Sequence, residues 1–518
     1  MASEKQVAIV GAGISGLLAC KHLMEKGFRS VIFESRGSIG GVWAHQTIES
    51  TKLQTPKDYY QFSDWPWPHS VTEAFPDHNQ VLEYINSYAE HFDIVPRIKF
   101  NHKVVAIDYS RPMDDYEISQ WDEWSGNGGP FSSEGKWKML VQNTLYPLEP
   151  PKVYEVDFVI LCSGNYSDFP NVPQFPMDKG PEIFDGVALH SMDYAMMSTA
   201  NAAEFIKDKR VTVVGFQKSA VDIAVEIAKA NGVRYPCTMV FRAAYWTIPD
   251  HLNELNFRNR NRFSELMIHK PHEGFFFWLL AILLYPLTLI FSTLMETYLK
   301  WIYPLKKHNM IPKHAFIKQV ASCMLPTLPA TFYKRVDEGS IVLKKSQSFH
   351  FTQTGIVLEE DTTPIPTDVV IFATGFKSDE SFAKIFKSAY FQSCIFGSSA
   401  PFYRECIHPR IPQLAILGYS ESPTNLFTTE TRSKWLSHLI AGNIKLPTIQ
   451  AMEEDTSKWE TFMRKYGDKT YKRSCITFLL QIHSNDLLCK DMGFNPRRKS
   501  WFIPELFAPY VPTDYANL

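Results

Sequence analysis

Two glycine-rich turns, about 200 residues apart, hold the residue types best suited to gripping a diphosphate. The first is Gly11-Ala12-Gly13-Ile14-Ser15-Gly16. It follows the apolar run Val7-Ala8-Ile9-Val10 and opens a helical stretch from Leu17 to Lys26. Ser30-Val31-Ile32-Phe33 then reads as a second strand ending at Glu34. In a strand–turn–helix unit of this kind the pyrophosphate rests on the helix N-terminus. Gly11 makes the tight turn, Gly13 admits backbone close to the phosphates, and Gly16 lets helix and strand pack closely. Glu34 lies 18 residues past Gly16 (34 − 16), where a carboxylate meets a ribose diol and disfavours a 2′-phosphate.

The second turn is Gly215-Phe216-Gln217-Lys218-Ser219-Ala220, after the strand Arg210 to Val214. The next strand, Cys237 to Phe241, ends at Arg242, which occupies the position that Glu34 holds in the first unit. A guanidinium there accommodates a 2′-phosphate. The exchange of acid for base implies two different nucleotides: FAD in the first site and NADPH in the second. Gln217 replaces the usual second glycine and limits backbone approach, with the Lys218 charge as compensation. Gly215, Lys218, Ser219, Ala220 and Arg242 are the expected NADP contacts. For FAD they are Gly11, Gly13, Gly16 and Glu34, with Gly40, Gly41 and Trp43 of the following Ser38–Trp43 segment.

Between the turns lies Phe184-Asp185-Gly186-Val187-Ala188-Leu189-His190-Ser191-Met192-Asp193-Tyr194, and Asp368 to Phe376 contains Ala373-Thr374-Gly375. Through these segments the chain resembles the flavin-containing monooxygenases, whose identifying motif is Phe-x-Gly-x-x-x-His-x-x-x-Tyr. Related Baeyer–Villiger enzymes end theirs in Trp, so Tyr194 favours heteroatom oxidation. Asp157 to Asn165 looks like an earlier counterpart of the Ala-Thr-Gly segment. Thr51–Lys57, Phe62–Pro68, Gly180–Ile183, Arg497–Lys499 and Ala508–Tyr510 bring the chain nearest to the plant branch that includes pipecolate N-hydroxylating enzymes.

The resemblance implies that NADPH reduces FAD and that the flavin holds O2 as a C4a-hydroperoxide. A nucleophilic nitrogen or sulfur then attacks the distal oxygen. The implied substrates are an amine, amino acid, alkaloid or sulfide, together with molecular oxygen. The resemblance also places Thr374 and Gly375 near the flavin, and Gln54 and Asn165 at its reactive edge as catalytic residues. Many members carry Asn at the position of Gln54. His190 is expected to organise the hinge between domains and not to act as a base. Three alternatives stay open: Baeyer–Villiger oxygenation, uncoupled NADPH oxidation, and a nucleotide-sensing binding protein without turnover.

The expected architecture is α/β, with two dinucleotide-binding Rossmann-like domains. The NADPH domain, 171–336, is inserted in a discontinuous FAD domain of 1–170 and 337–518. The chain has 518 residues, 45% hydrophobic and 21% charged, with net charge −2 and pI about 6.8. Nothing in that balance favours nucleic acid or an anionic membrane surface. Eight cysteines without a Cys-x-x-Cys unit point to no metal site and suit a reducing compartment. The first strand begins almost at Met1 and the last residues form no sorting signal, so a cytoplasmic protein without a leader is expected. Residues 275–295 carry no charge. A membrane crossing would split the FAD domain, and a hairpin broken at Pro286 would be too short to span. Two readings remain. The preferred one is a buried or lid-forming helical pair. The other is a monotopic patch, giving peripheral contact with the cytosolic face of the endoplasmic reticulum.

Overall fold

The computed structural model describes residues 5–110, 115–132, 135–166, 169–396, 402–467, 475 and 479–518. Val7–Val10 and Phe158–Leu161 are continuous apolar runs that suit strands covered on both faces. They pair in parallel in a five-stranded sheet. Its order is Leu414–Ile416, Phe158–Leu161, Gln6–Val10, Arg29–Phe33, Ile98–Lys99. The helix Ile14–Glu25 returns the chain across this sheet and packs on Asn425–Ile440, a helix buried on nearly every side.

The second sheet is likewise parallel, in the order Ile341–Lys345, Cys237–Phe241, Val211–Val214, Val369–Phe372, Val187–His190. Two small antiparallel sheets complete the layers, 102–156 beside the first domain and 349–366 beside the second. This corrects the boundary expected at 337. Ile341–Lys345 and Val369–Phe372 hydrogen-bond into the second sheet, so the inserted domain runs on to about residue 372. The strand at 369–372 sits between Val211–Val214 and Val187–His190, and the sheet would be split without it.

The chain passes between the domains twice, and the two passages are tied together. The Asn171 N–H donates to the Gly375 carbonyl at 2.9 Å, and the Lys377 N–H to that of Phe169 at 2.9 Å. The Thr374 hydroxyl donates to the Asn171 carbonyl.

Two further expectations are corrected. The apolar segment is neither a broken pair nor buried. Phe275–Ile302 is one 28-residue helix with Pro286 inside it, and only Ala281, Ser292 and Leu299 are buried. Its C-terminal half is anchored: the Glu296 carboxylate accepts from the Ser292 hydroxyl and from the Phe316 N–H at 3.0 Å. Its N-terminal half projects Phe275, Phe276, Trp278 and Leu283 outward, and Ile290 continues the exposed face. The eight cysteines are not all thiols either. The fold brings Cys323 and Cys475, 152 residues apart, to a Cα separation of 5.8 Å and joins them in a disulfide.

Candidate active site

A cleft of about 1520 Å³ opens between the domains and is lined by both glycine turns. Each turn ends a central strand, so the backbone amides at the helix starts face the cleft. Gly11 has φ +105°, and a Cβ there would lie 2.7 Å from the Cys162 carbonyl oxygen. Gly215 repeats the arrangement at φ +132°, with 2.4 Å to the Ala373 oxygen. In each domain the turn is thus pressed against the neighbouring strand's end, which only glycine permits. Gly13 and Gly41 face each other, a Cβ on Gly41 reaching 3.3 Å from the Gly13 Cα, and both line the cleft.

Glu34 is buried at the end of its strand. Its carboxylate accepts from the Ala12 N–H at 2.7 Å and the Arg36 N–H at 2.9 Å, which fixes it at the cleft wall. The Trp43 indole donates to the Tyr60 hydroxyl at 2.9 Å, and Gly40 lines the same wall. Burial raises the Tyr60 phenol well above its ordinary range, so it stays neutral.

On the second side Ser219 and Arg242 are exposed to the cleft, and Arg242 makes no ion pair among the described residues. Lys218 is less available than expected, because its ammonium pairs with Asp222 at 2.6 Å, one helical turn along. Burial raises the Asp222 carboxyl's pKa, and Lys218 works against that rise. Gln217 caps this helix by position, and its Nε2 is buried without a hydrogen-bond partner among the described residues.

Gln54 and Asn165, the two residues implied as catalytic, both line the cleft. The Asn165 amide donates to the Tyr419 carbonyl, while its Oδ1 is buried with no partner among the described residues. Gln54 is committed on its oxygen side: Oε1 accepts from the Thr327 N–H at 3.2 Å and its hydroxyl at 3.4 Å. Its backbone carbonyl accepts from the Asn253 side chain. Thr374 and Gly375 also line the cleft, at the end of a strand belonging to the second sheet.

Two predicted contacts are corrected. Gly16 and Ala220 do not reach the cleft. A Cβ on Gly16 would meet the Gly11 carbonyl oxygen at 1.9 Å, so its role is helix–turn packing. Ala220 is fully buried against Gly215. His190 behaves as a positioning group: its Nδ1 accepts from the Met192 N–H at 3.1 Å, capping Ser191–Ala195. Burial lowers its pKa. Tyr194 is fully buried in the second domain's core and does not line the cleft.

Asn171, Asn253, Thr327 and Arg36 also line the cleft and had not been singled out. Only Arg36, two residues past Glu34, carried a local signal. Thr327 and Asn253 meet Gln54 across 273 and 199 residues.

These residues fit FAD and NADP. The facing glycines leave room for a diphosphate, a carboxylate and a guanidinium end the equivalent strands, and two buried amide atoms lack partners among the described residues.

The sequence profile described as "Flavin-binding monooxygenase-like" matches residues 4–502. The chain is 38% identical to "Probable flavin-containing monooxygenase 1" of Arabidopsis thaliana, over 99% of this chain and 96% of that protein. Among solved structures it is similar to the S-allyl-L-cysteine S-oxygenase from Allium sativum, with TM-score 0.58 and 18% identity over 95% of this chain and 89% of that one. It is also similar to OTEMO in complex with FAD and NADP, with TM-score 0.63 and 18% identity over 90% and 92%.

Proposed function

Because the chain belongs to the flavin-binding monooxygenase-like family, whose members use FAD and NADPH, we propose that it oxygenates a nucleophilic nitrogen, or less readily sulfur, of a small metabolite. The observation that carries this reading is the pair of amides, Gln54 and Asn165, in one cleft with both nucleotide turns. An amide side chain is neither nucleophile nor base. It orients and hydrogen-bonds, which is the protein's part when the cofactors supply the electrons and the activation of O2. Glu34 and the Gly11–Gly16 turn hold FAD. Arg242 and Ser219 select NADPH by its 2′-phosphate. Asn165 offers its Oδ1 to the flavin side of the cleft, and Gln54 offers the Nε2 that Thr327 leaves over. The apolar lining of Trp43, Tyr60 and Leu53 supports a dry setting for the reacting atoms. Tyr194, standing where the resembling ketone-oxidising enzymes carry Trp, supports heteroatom over ketone oxygenation.

The experiment is an NADPH-consumption screen against amines, amino acids, alkaloids, sulfides and ketones, with product mass and H2O2 measured together. N-hydroxyl, N-oxide or S-oxide products are expected. Esters formed only from ketones would replace this reading with Baeyer–Villiger chemistry. Peroxide equal to NADPH for every compound would make the protein an oxidase.

The exposed Phe275–Ile302 helix supports a second element of the reading, peripheral attachment to a cytosolic membrane face such as that of the endoplasmic reticulum. A patch of this size is a liability in water. A further exposed apolar group is Trp501, Phe502, Ile503 and Phe507; the short helix Arg262–Leu266 packs on both it and Phe275–Ile302, with Phe263 and Phe507 ring centroids 5.2 Å apart. Arg497 precedes that group and is exposed, and a cation beside exposed rings suits a lipid headgroup layer. The protein is expected to float with lipid vesicles, and Leu283→Glu with Ile290→Glu should release it. Wild type remaining in the aqueous fraction, or a concentration-dependent dimer, would remove the membrane assignment.

A further inference from the structure

We propose that the Cys323–Cys475 bridge is a reversible modification site: hydrogen peroxide closes it, a dithiol reductant opens it, and its state sets how firmly the cleft holds Gln54. The chemistry of the bridge stands on the two sulfurs alone. Its effect on turnover rests on the role given to Gln54 in the oxygenation reading above.

The two sulfurs differ in what can reach them. Cys323 is half-buried and lines the cleft, in the turn that follows the helix Phe316–Ala321. Cys475 is fully buried and lies off the cleft, its Sγ 3.4 Å from the Ser322 carbonyl oxygen. A small solute in the cleft can meet the first sulfur, and the second can answer only its partner. That is the division between an attacking and a resolving thiol. Glu421 lines the same cleft, and a carboxylate oxygen of it lies within 4.8 Å of both sulfurs, near enough to accept a thiol proton directly or through one water. Cys162 also lines the cleft, but it is a free thiol and burial pushes its pKa up.

The Cys323 turn leads directly to Gln54. The Gln319 side-chain amide donates to the Met324 carbonyl at 2.6 Å, and just beyond it the Thr327 N–H and hydroxyl donate to Gln54 Oε1. On the other flank the Thr55 hydroxyl donates to the Pro423 carbonyl at 3.0 Å, just past Glu421. Cys323 itself stands at φ +45°, a conformation that residues with a Cβ rarely adopt, so the turn depends on its ties. Opening the bridge removes the covalent one and loosens the hold of Thr327 on Gln54.

Closure runs in two steps. Cys323 gives up its proton, and its thiolate attacks one oxygen of H2O2. An S–O bond forms, the O–O bond breaks, and the departing hydroxide takes up the proton as water. The Cys475 sulfur then attacks the sulfenic sulfur. The S–S bond forms, the S–O bond breaks, and a second water leaves with the Cys475 proton. The sulfur pair is oxidised by two electrons and the peroxide is reduced to water. A dithiol returns those electrons through a mixed disulfide and ends as a disulfide itself. Turnover that fails to meet a substrate supplies the oxidant in this same cleft. Wasted NADPH would thereby tighten the wall that holds Gln54.

The test uses FAD-loaded wild type, reduced with dithiothreitol, freed of it, and split into two portions. One portion receives about one equivalent of H2O2. Peptide mass after alkylation reads the thiols, and substrate-free NADPH oxidation with catalase present reads the leak. Peroxide is expected to cross-link Cys323 with Cys475 and to leave Cys20, Cys162, Cys237, Cys406 and Cys489 as thiols. The leak should fall about two- to tenfold on closure, the worth of one firmly held neutral hydrogen bond. Dithiothreitol should restore the faster rate. Cys475→Ser should leak fast with or without peroxide, while its anaerobic flavin reduction matches wild type. Thiols that survive peroxide, a bridge that dithiothreitol leaves closed, equal leak in the two states, or a peroxide response retained by Cys475→Ser each overturn the proposal. No oxygenation substrate enters this test, so a chain that the substrate screen shows to be an NADPH oxidase would still reveal or lack the switch.

Discussion

At the scale of single residues, Gln54 has the most telling position, because the second domain holds it at two points. Asn253 grips its backbone and Thr327 its side chain. Its effect should therefore fall on the environment of bound oxygen and not on electron delivery. Gln54→Ala removes one neutral hydrogen-bonding side chain, worth about 1 kcal/mol, so H2O2 released per NADPH should rise about fivefold. Anaerobic flavin reduction by NADPH should keep its rate. Slower reduction with unchanged peroxide yield, seen by stopped-flow absorbance, would mean that Gln54 positions nicotinamide instead. Arg242 makes a complementary case. Its guanidinium faces the cleft without an ion pair among the described residues, whereas Lys218 is already spent on Asp222. Losing a charge-assisted contact costs about 1.5–3 kcal/mol, so Arg242→Ala should raise the KM for NADPH about ten- to hundredfold while that for NADH barely moves. Lys218→Ala should do far less. The reverse ranking in steady-state kinetics would give the phosphate to Lys218.

At the scale of elements, the sequence was most legible where backbone geometry forces residue type. Gly11 and Gly215 stand at positive φ against a neighbouring carbonyl, so the turns announce themselves. The strand-end pair Glu34 and Arg242 was readable as well, since each follows the strand that comes after its turn and helix. Contacts made by folding distant segments together left no local mark. Thr327 on Gln54 and the disulfide between Cys323 and Cys475 are of this kind. The capture of Lys218 by Asp222 was visible as a four-residue spacing but reads equally as surface charge. The inserted domain's last strands were misassigned because a short apolar run does not say which of two parallel sheets it will join. The proline rule misled at Pro286. A helix can carry proline when its other residues hold it, leaving the Ile282 carbonyl without its usual donor. Pro286→Ala should restore that bond and slow amide exchange around residues 280–290 by about 1–3 kcal/mol of local stability. Faster exchange, measured by mass spectrometry, would show that the neighbouring packing is fitted to the proline.

At the scale of the whole molecule, the C-terminal region is locked onto the inserted domain by buried charge. Arg262 pairs with Asp486 and Glu505, the Tyr510 hydroxyl donates to Glu505 at 2.6 Å, and Glu265 holds the start of the Gln481–Asp491 helix. Burial lifts the Glu265 carboxyl from 4.5 to about 7. A carboxyl raised on folding contributes stability that is present below its unfolded pKa and is lost as pH climbs through the folded value. For Glu265 the window is therefore 4.5 to about 7. Its neighbour His483 is pushed down to about 3 by burial, so its contribution is lost in the opposite direction, as pH falls below 6.5. The two slopes offset each other in wild type, and a variant is needed to reveal either. Glu265→Gln should lower stability, relative to wild type, by about 2–3 kcal/mol more at pH 5 than at pH 7.5. Thermal melts of the FAD-loaded protein at both pH values check this, and a pH-independent difference would assign Glu265 a purely hydrogen-bonding role.

The paired passages between the domains have a mechanical consequence. Two strands crossing side by side, bonded at Asn171–Gly375 and Phe169–Lys377, form a strap that bends about one axis and resists sliding and twisting. Any displacement of the inserted domain is then an arc about that strap, with a lever arm that grows along the cleft. Groups near the strap, such as Thr374 and Asn165, barely change their spacing as the arc is traced. The tie between Gln54 and Thr327 lies far along that arc, beside the Asn253 bond to Gln54, the Cys323–Cys475 disulfide and the Arg262 pairs, and together these hold the inserted domain in place. One small rotation would thus widen the far end of the cleft while leaving Asn165 and Thr374 in register.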